Sequence, residues 1–241
     1  MMRTVFIIFT CLFLILITPL VLCSANESDK YNSTDADDIW QSGTVFWGHG
    51  ESIALTFDDG PHPYYTDKIL EILKKYNVRA TFFVIGKNVG YYPDVFLRIL
   101  NAGHEIGNHT MSHSHLSGHT FDYVMNQIQG TDDVINSLAE YKTRFLRPPG
   151  GIFDKNVQSA AKNNDILIAL WTIDTKDWQH RSADNIVDGV LRCVRGGDII
   201  LMHDYLSGDC HTVEALDILI PELQKRGFSF VTLSEMYLSG G

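Results

Sequence analysis

Ile53-Ala54-Leu55-Thr56-Phe57-Asp58-Asp59-Gly60-Pro61 is an apolar run that ends in two adjacent carboxylates and then a turn. A strand sends successive side chains to opposite faces. Two acids in a row at its end therefore need a reason. One reason is a division of labour, with one carboxylate binding a metal and its neighbour handling a proton beside that metal.

Outward from this run, strand-like and helix-like segments alternate. Strands are predicted at 53–57, 80–85, 104–106, 144–146, 166–173, 198–202 and 228–232. Helices are predicted at 66–76, 93–100, 122–138, 155–162, 183–194 and 213–225. Ile69, Ile72 and Leu73 carry helical spacing in the first helix, which Thr66 can cap. Val124, Ile128, Val134, Ile135 and Leu138 do the same in the longest. Pro93 stands in the first turn of its helix, and Gly86 is read as the end of a strand. Repeated alternation of this kind predicts an α/β fold, a parallel sheet with helices outside, as a barrel or an open doubly wound sheet. In both architectures chemistry collects at the C-terminal ends of the strands. Asp58-Asp59, His109, Arg147, Asp174 with Asp177, and His203 all fall there.

Composition bounds the rest. The chain has 241 residues, 45% of them hydrophobic, enough for one substantial core. The net charge of -10 and the lack of a basic cluster exclude a nucleic-acid partner. Arg3 precedes an uncharged apolar run, Thr4 to Leu22, which reads as an export signal. Cleavage after Ala25, lipid attachment at Cys23 and retention as a membrane anchor all remain open. Each places the domain outside the cytoplasm. Residues 26–43 read as a polar linker, and residues 44–238 as the catalytic domain. Cys193 and Cys210 can form a disulfide in that compartment or remain two buried thiols. A monomer is expected.

The chemistry-bearing residues form a set. His109 and His113 are four apart and share a face if the segment makes one helical turn. With Asp59 they supply three ligands for zinc or a similar divalent ion and leave a position open. Asp58 can then take the proton of a water, and Arg147 can hold Asp58 ionised. His203 can act as the acid for the leaving group, with Asp174 keeping it protonated. The Gly150 N–H, after Pro148-Pro149, can donate to an oxyanion. Trp178, Pro149 and Tyr64 are candidate substrate contacts.

Five stretches carry a family resemblance: Thr56-Phe57-Asp58-Asp59-Gly60, His109-Thr110-Met111-Ser112-His113, Arg147-Pro148-Pro149-Gly150-Gly151, Asp174-Thr175-Lys176-Asp177-Trp178 and Leu201-Met202-His203. In this order they resemble the polysaccharide deacetylases of the NodB-homology type (carbohydrate esterase family 4), over roughly Thr44 to Leu238. The resemblance implies a distorted (β/α)7-8 barrel and a divalent metal, usually Zn2+, with Co2+ an alternative. It implies hydrolysis of N-acetyl groups from a glycan such as peptidoglycan or chitin. It also assigns Asp58 as base, Asp59, His109 and His113 as metal ligands, His203 as acid tuned by Asp174, and Arg147 as the residue orienting the base. Gly150 departs from the family, where a Tyr often follows the two prolines. An O-acetyl esterase acting on xylan would use the same set. A catalytically dead glycan-binding module would have lost a ligand or the acid, and none is lost. A surface protein with incidental histidines would hold no stoichiometric metal.

Overall fold

Every strand pairing among the described residues is parallel, and all but one of the pairings run in one continuous path. The computed structural model describes residues 43–238 apart from Phe46, His49 and Asp209. The export segment and most of the expected linker lie outside them. The strands are β1 (Thr44–Val45), β2 (Ser52–Asp58), β3 (Thr81–Val84), β4 (Glu105–Asn108), β5 (Phe145–Leu146), β6 (Leu167–Ala169), β7 (Ile173–Asp174), β8 (Ile199–His203) and β9 (Ser229–Phe230). The helices are α1 (Tyr65–Lys75), α2 (Gly86–Tyr91), α3 (Pro93–Asn101), α4 (Phe121–Ala139), α5 (Lys155–Asn163), α6 (Ala183–Cys193), α7 (Thr212–Lys225) and α8 (Leu233–Leu238).

The path is β1-β6-β5-β4-β3-β2-β8-β7, with β9 on the first half of β2. Its two ends are consecutive in sequence. β6 sits next to one edge and β7 forms the other, yet only Leu170, Trp171 and Thr172 separate them. Four peptide steps reach at most about 14 Å. The sheet must therefore curl until its edges approach, and the result is a barrel with an unpaired seam between β6 and β7. This is the distorted α/β barrel expected from the motifs.

The expected strand at 166–173 is thus two strands at opposite edges of the sheet. Apolar residues run through both, so composition hides the break. Two further differences are local. β1, α2 and α8 were not expected; α2 starts at Gly86, where a strand end was read. Thr66 does not cap α1: Tyr64 stands at the N-cap without a side-chain bond, and Thr66 Oγ1 points instead to Asp204 Oδ2, 2.6 Å away. Of the two states left open for Cys193 and Cys210, the structure has the thiols, Cys210 buried and Cys193 half-buried, which donate to Thr212 Oγ1 and Gly189 O.

Alternation along β2 decides what goes where. Ile53, Leu55 and Phe57 join the large core beneath α1, α3, α6 and α7. Ala54 joins a second cluster with Phe83, Phe145, Leu167, Ala169 and Ile199, closed by Leu233 and Tyr237 of α8. That second cluster fills the barrel. Thr56 and Asp58 share its parity, so β2 aims its last side chain inward. α4 buries Val124, Ile128, Thr131 and Ile135 at helical spacing, each apolar one stabilising by about 1.5–3 kcal/mol. Thr120 caps α4, Asp154 caps α5 and Ser182 caps α6.

Inside the barrel, Gly107 on β4 leaves room for the Phe83 ring, into which a Cβ would project. Gly107→Ala is expected to cost about 1–3 kcal/mol through overpacking, read as a lower urea midpoint with unchanged slope. No loss of stability would mean that the Phe83 ring is free to move aside.

Candidate metal and catalytic site

Asp58 ends β2 on the inner face, and its Oδ1 accepts from Arg147 Nη1 at 2.8 Å. Strict alternation would send Asp59 the other way. Instead Asp59 has φ 79°, in the left-handed region that a non-glycine residue enters at a cost. The chain turns there, and both carboxylates come to face His109. Asn88 Nδ2 donates to Asp59 O at 2.7 Å and Ile85 N to Gly60 O at 2.9 Å, which pins the turn. This resolves the doubled acid: the backbone breaks alternation at the second residue.

His109 follows β4. The loop beyond it is not the helical turn expected, since Thr110 (φ 70°) and His113 (φ 56°) are both left-handed. The imidazoles still meet, with centroids 5.1 Å apart. Asn108 shapes this loop. Its Oδ1 accepts from Thr110 N, while its amide donates to Ile128 O and Asp132 Oδ1. Buried and fully used, the Asn108 amide is closed to glycosylation, although Asn108-His109-Thr110 has the Asn-x-Thr form of an N-glycosylation acceptor.

Asp59 Oδ1 lies 3.3 Å from His109 Nε2 and 3.1 Å from His113 Nε2. It is nevertheless buried with no aligned hydrogen bond. Burial alone would raise the Asp59 carboxyl; the two imidazoles outweigh it and hold it well below the usual carboxylate range. His109 Nδ1 stands 2.7 Å from Arg147 O, which can only accept. Nδ1 therefore carries a proton, and Nε2 is the ring atom turned toward Asp59. One ligand atom from each of the three residues lies within 4.8 Å of the others. A buried, ionised, orphaned oxygen facing two imidazole nitrogens fits a divalent cation, and N2O is a donor set common for zinc.

Arg147 is fully buried. Nη1 donates to Thr56 Oγ1 and Asp58 Oδ1, each at 2.8 Å, Nε to Ala169 O at 3.1 Å and Nη2 to Leu170 O at 3.0 Å. Its guanidinium carbon lies 4.1 Å from the Phe83 ring centroid. Burial pulls its pKa down, and the Asp58 charge opposes that.

His203 ends β8 and is the register partner of Asp58. The carboxylate that holds it is Asp177, not Asp174. Asp177 Oδ1 is 2.7 Å from His203 Nδ1, and its Oδ2 accepts from His203 N at 2.8 Å and Thr212 Oγ1 at 2.7 Å. Asp174 spends its Oδ1 on Lys176 N in its own turn. Lys176 is left-handed (φ 55°) and swings Asp177 back under His203. No residue-type rule forces that conformation on a lysine, so the sequence could not choose between the two aspartates. Burial would lower the His203 pKa; Asp177, with Asp58 and Asp59, raises it to about 9. Nδ1 thus faces Asp177, and Nε2 is left for the site.

Of the remaining candidates, Pro149 is buried, while Trp178 and Tyr64 are 47% and 61% exposed. Gly150 is exposed at φ 69°, a conformation that favours glycine. A Cβ there would lie 3.4 Å from His115 Cε1. Sequence reasoning missed Thr56, Asn108, Thr212 and Asp204. Burial pushes the Asp204 carboxyl up to about 7 beside the site.

The polysaccharide deacetylase family profile matches residues 48–169. The chain belongs to the polysaccharide deacetylase family. This deacetylase is 44% identical over 186 residues to a peptidoglycan-N-acetylglucosamine deacetylase of Bacillus cereus, covering 77% of this chain and 68% of that one. It is 37% identical to a chitooligosaccharide deacetylase of Bradyrhizobium, over 77% of this chain and 90% of the relative. Among solved structures it is similar to the Bc1960 peptidoglycan N-acetylglucosamine deacetylase, with TM-score 0.80 and 41% identity over 83% of this chain and 95% of that one. It is also similar to a family 4 acetyl xylan esterase of Clostridium thermocellum in complex with a cobalt ion, with TM-score 0.73 and 38% identity over 78% and 90%.

Removing Arg147 would leave Asp58 as an uncompensated buried charge. Arg147→Met is expected to lower unfolding free energy by about 3–5 kcal/mol in urea titrations. Adding Asp58→Asn should recover part of that loss; simple additivity of the two would contradict a shared pair.

Proposed function

We propose that the protein removes N-acetyl groups from N-acetylglucosamine-type residues of peptidoglycan, with Zn2+ as its native ion. The reading is carried by the convergence of Asp59, His109 and His113 on one orphaned carboxylate oxygen, beside a second acid and a carboxylate-held histidine. The peptidoglycan deacetylases of comparable sequence support the substrate. The apolar run of residues 4–22 supports action outside the cytoplasm, where that polymer lies.

Asp59, His109 and His113 would hold the ion, which when bound supplies Lewis acidity to an acetamide carbonyl and lowers the pKa of a water. Asp58, fixed by Arg147, takes a proton from the attacking water. The Gly150 N–H donates to the oxygen that gains charge as the carbonyl becomes tetrahedral. His203 enters protonated and gives its Nε2 proton to the nitrogen as the C–N bond breaks. Acetate and a free amine leave. Asp177 keeps the ring oriented and charged. Trp178 and Tyr64 present exposed aromatic faces to the glycan, and Pro149 fixes the turn that carries Gly150.

Acetate release from peptidoglycan, chitooligosaccharides and acetylxylan, each with and without added zinc, tests the reading directly. Release from acetylxylan alone would assign an O-acetyl esterase instead. Purified protein is expected to carry one divalent ion per chain by elemental analysis, and Asp59→Asn to lose most of it. His203→Ala should keep the ion but lose activity by at least about a hundredfold; near-normal turnover removes His203 as the acid. An acid must be protonated to act, so rate falls as pH rises through the His203 pKa. Asp177→Asn takes away the main group raising that pKa. The alkaline limb of the pH–rate profile should therefore move to lower pH, and an unmoved limb would contradict the pairing.

A further inference from the structure

A cleft of about 400 Å³ opens directly off Asp59 and His113, between α2 and the loop after His203. Its two sides have different chemistry. One side is α2, which presents Lys87 and Tyr91 four residues apart and hence on one helix face. The other side carries Tyr205.

Both sides are held in place. Gly86 N and Lys87 N donate to Thr110 O and Met111 O of the loop between the two metal-facing histidines. Asn88 Nδ2 donates to Asp59 O. The base of Lys87 is thereby fixed to the same turns that place the candidate ligands. Opposite, the Tyr205 ring stacks on His62 at 4.7 Å and 10°. His62 in turn packs edge-on against Tyr92, and its Nδ1 accepts from Tyr64 N and Tyr65 N. Tyr205 therefore offers a preset aromatic face, and such a face is suited to the apolar side of a sugar ring.

Lys87 is exposed, and among the described residues no ion pair engages it. Among the described residues it is the only lysine or arginine lining the cleft. On a chain of net charge -10, a lone ammonium beside the reacting centre is a local reversal of sign.

We propose that this cleft seats the sugar next to the one that loses its acetyl group, and that Lys87 pairs there with a carboxylate carried by that neighbouring sugar. The class of glycan so selected alternates an N-acetylated hexosamine with one bearing a free carboxylate, as in muramic acid whose lactyl group carries no amide-linked peptide. An uncharged N-acetylglucosamine polymer fills the same cleft but gives Lys87 no counter-ion. The proposal rests on the deacetylase reading above.

Its test is steady-state acetate release by the full-length zinc-loaded protein on three tetrasaccharides. One is derived from peptidoglycan with free lactyl carboxylates, one is the same molecule with those carboxylates methyl-esterified, and one is chitotetraose. For the unaltered protein, kcat/KM on the free carboxylate should exceed that on the ester by about fivefold, the size of an exposed ion pair. That ratio should shrink in high salt. Lys87→Gln should bring the ratio close to one, and Lys87→Glu should invert it. Tyr205→Ala should lower kcat/KM on all three substrates together, because stacking ignores charge. A free-acid to ester ratio that Lys87→Gln leaves intact would overturn the proposal while leaving the deacetylase standing. Absence of acetate from every substrate would overturn the underlying reading and the proposal with it.

Discussion

The ion pair between Arg147 and Asp58 is the constraint on which the other parts of the site depend. A guanidinium with no exposure to water loses its hydration, and such a group persists only when its donors are used. Here Nη1, Nε and Nη2 find Thr56 and Asp58 on β2, Ala169 O at the end of β6 and Leu170 O beyond it. The backbone carbonyl of the same residue then fixes the His109 tautomer. One residue thus fixes the position of the proposed base and the orientation of a candidate metal ligand.

Asp177 plays the corresponding part on the other side. It serves His203 through both ring and backbone and takes a third bond from Thr212. The two halves meet because β2 and β8 are neighbours in register, with Asp58 opposite His203. The proposed base and the proposed acid thus stand on adjacent strand ends, each held by its own buried partner of opposite charge.

Much of this was legible in the sequence. Helix positions followed from spacing: Val124, Ile128 and Ile135 are buried as expected. The rim followed from the rule that parallel strands deliver chemistry at their C-terminal ends, and Asp58, His109, Arg147 and His203 do lie there. What stayed hidden was backbone conformation at residues that gave no sign of it. Asp59, Thr110, His113 and Lys176 all adopt left-handed φ without being glycine. Each inverts a side-chain direction that regular alternation or helical spacing would assign. The choice of Asp174 over Asp177 failed at Lys176, and the helical turn expected at His109–His113 failed at Thr110. The split of 166–173 into two strands failed for another reason, since a seam needs only a change of direction and an apolar run shows none. The family resemblance supplied the reaction, while the partner of the acid came from geometry.

The bonds from Arg147 to Ala169 O and Leu170 O reach the seam, while its bonds to Thr56 and Asp58 reach the opposite wall. It therefore works as a spoke through the middle of an unclosed wheel. Selection for a folded domain and selection for turnover act on the same nitrogen atoms. A descendant that gave up its chemistry would still be held to this arginine by the need to stay folded, so its retention alone is a poor witness to activity. The Asp59 carboxylate, set against two imidazoles and bonded to no strand among the described residues, is the better one.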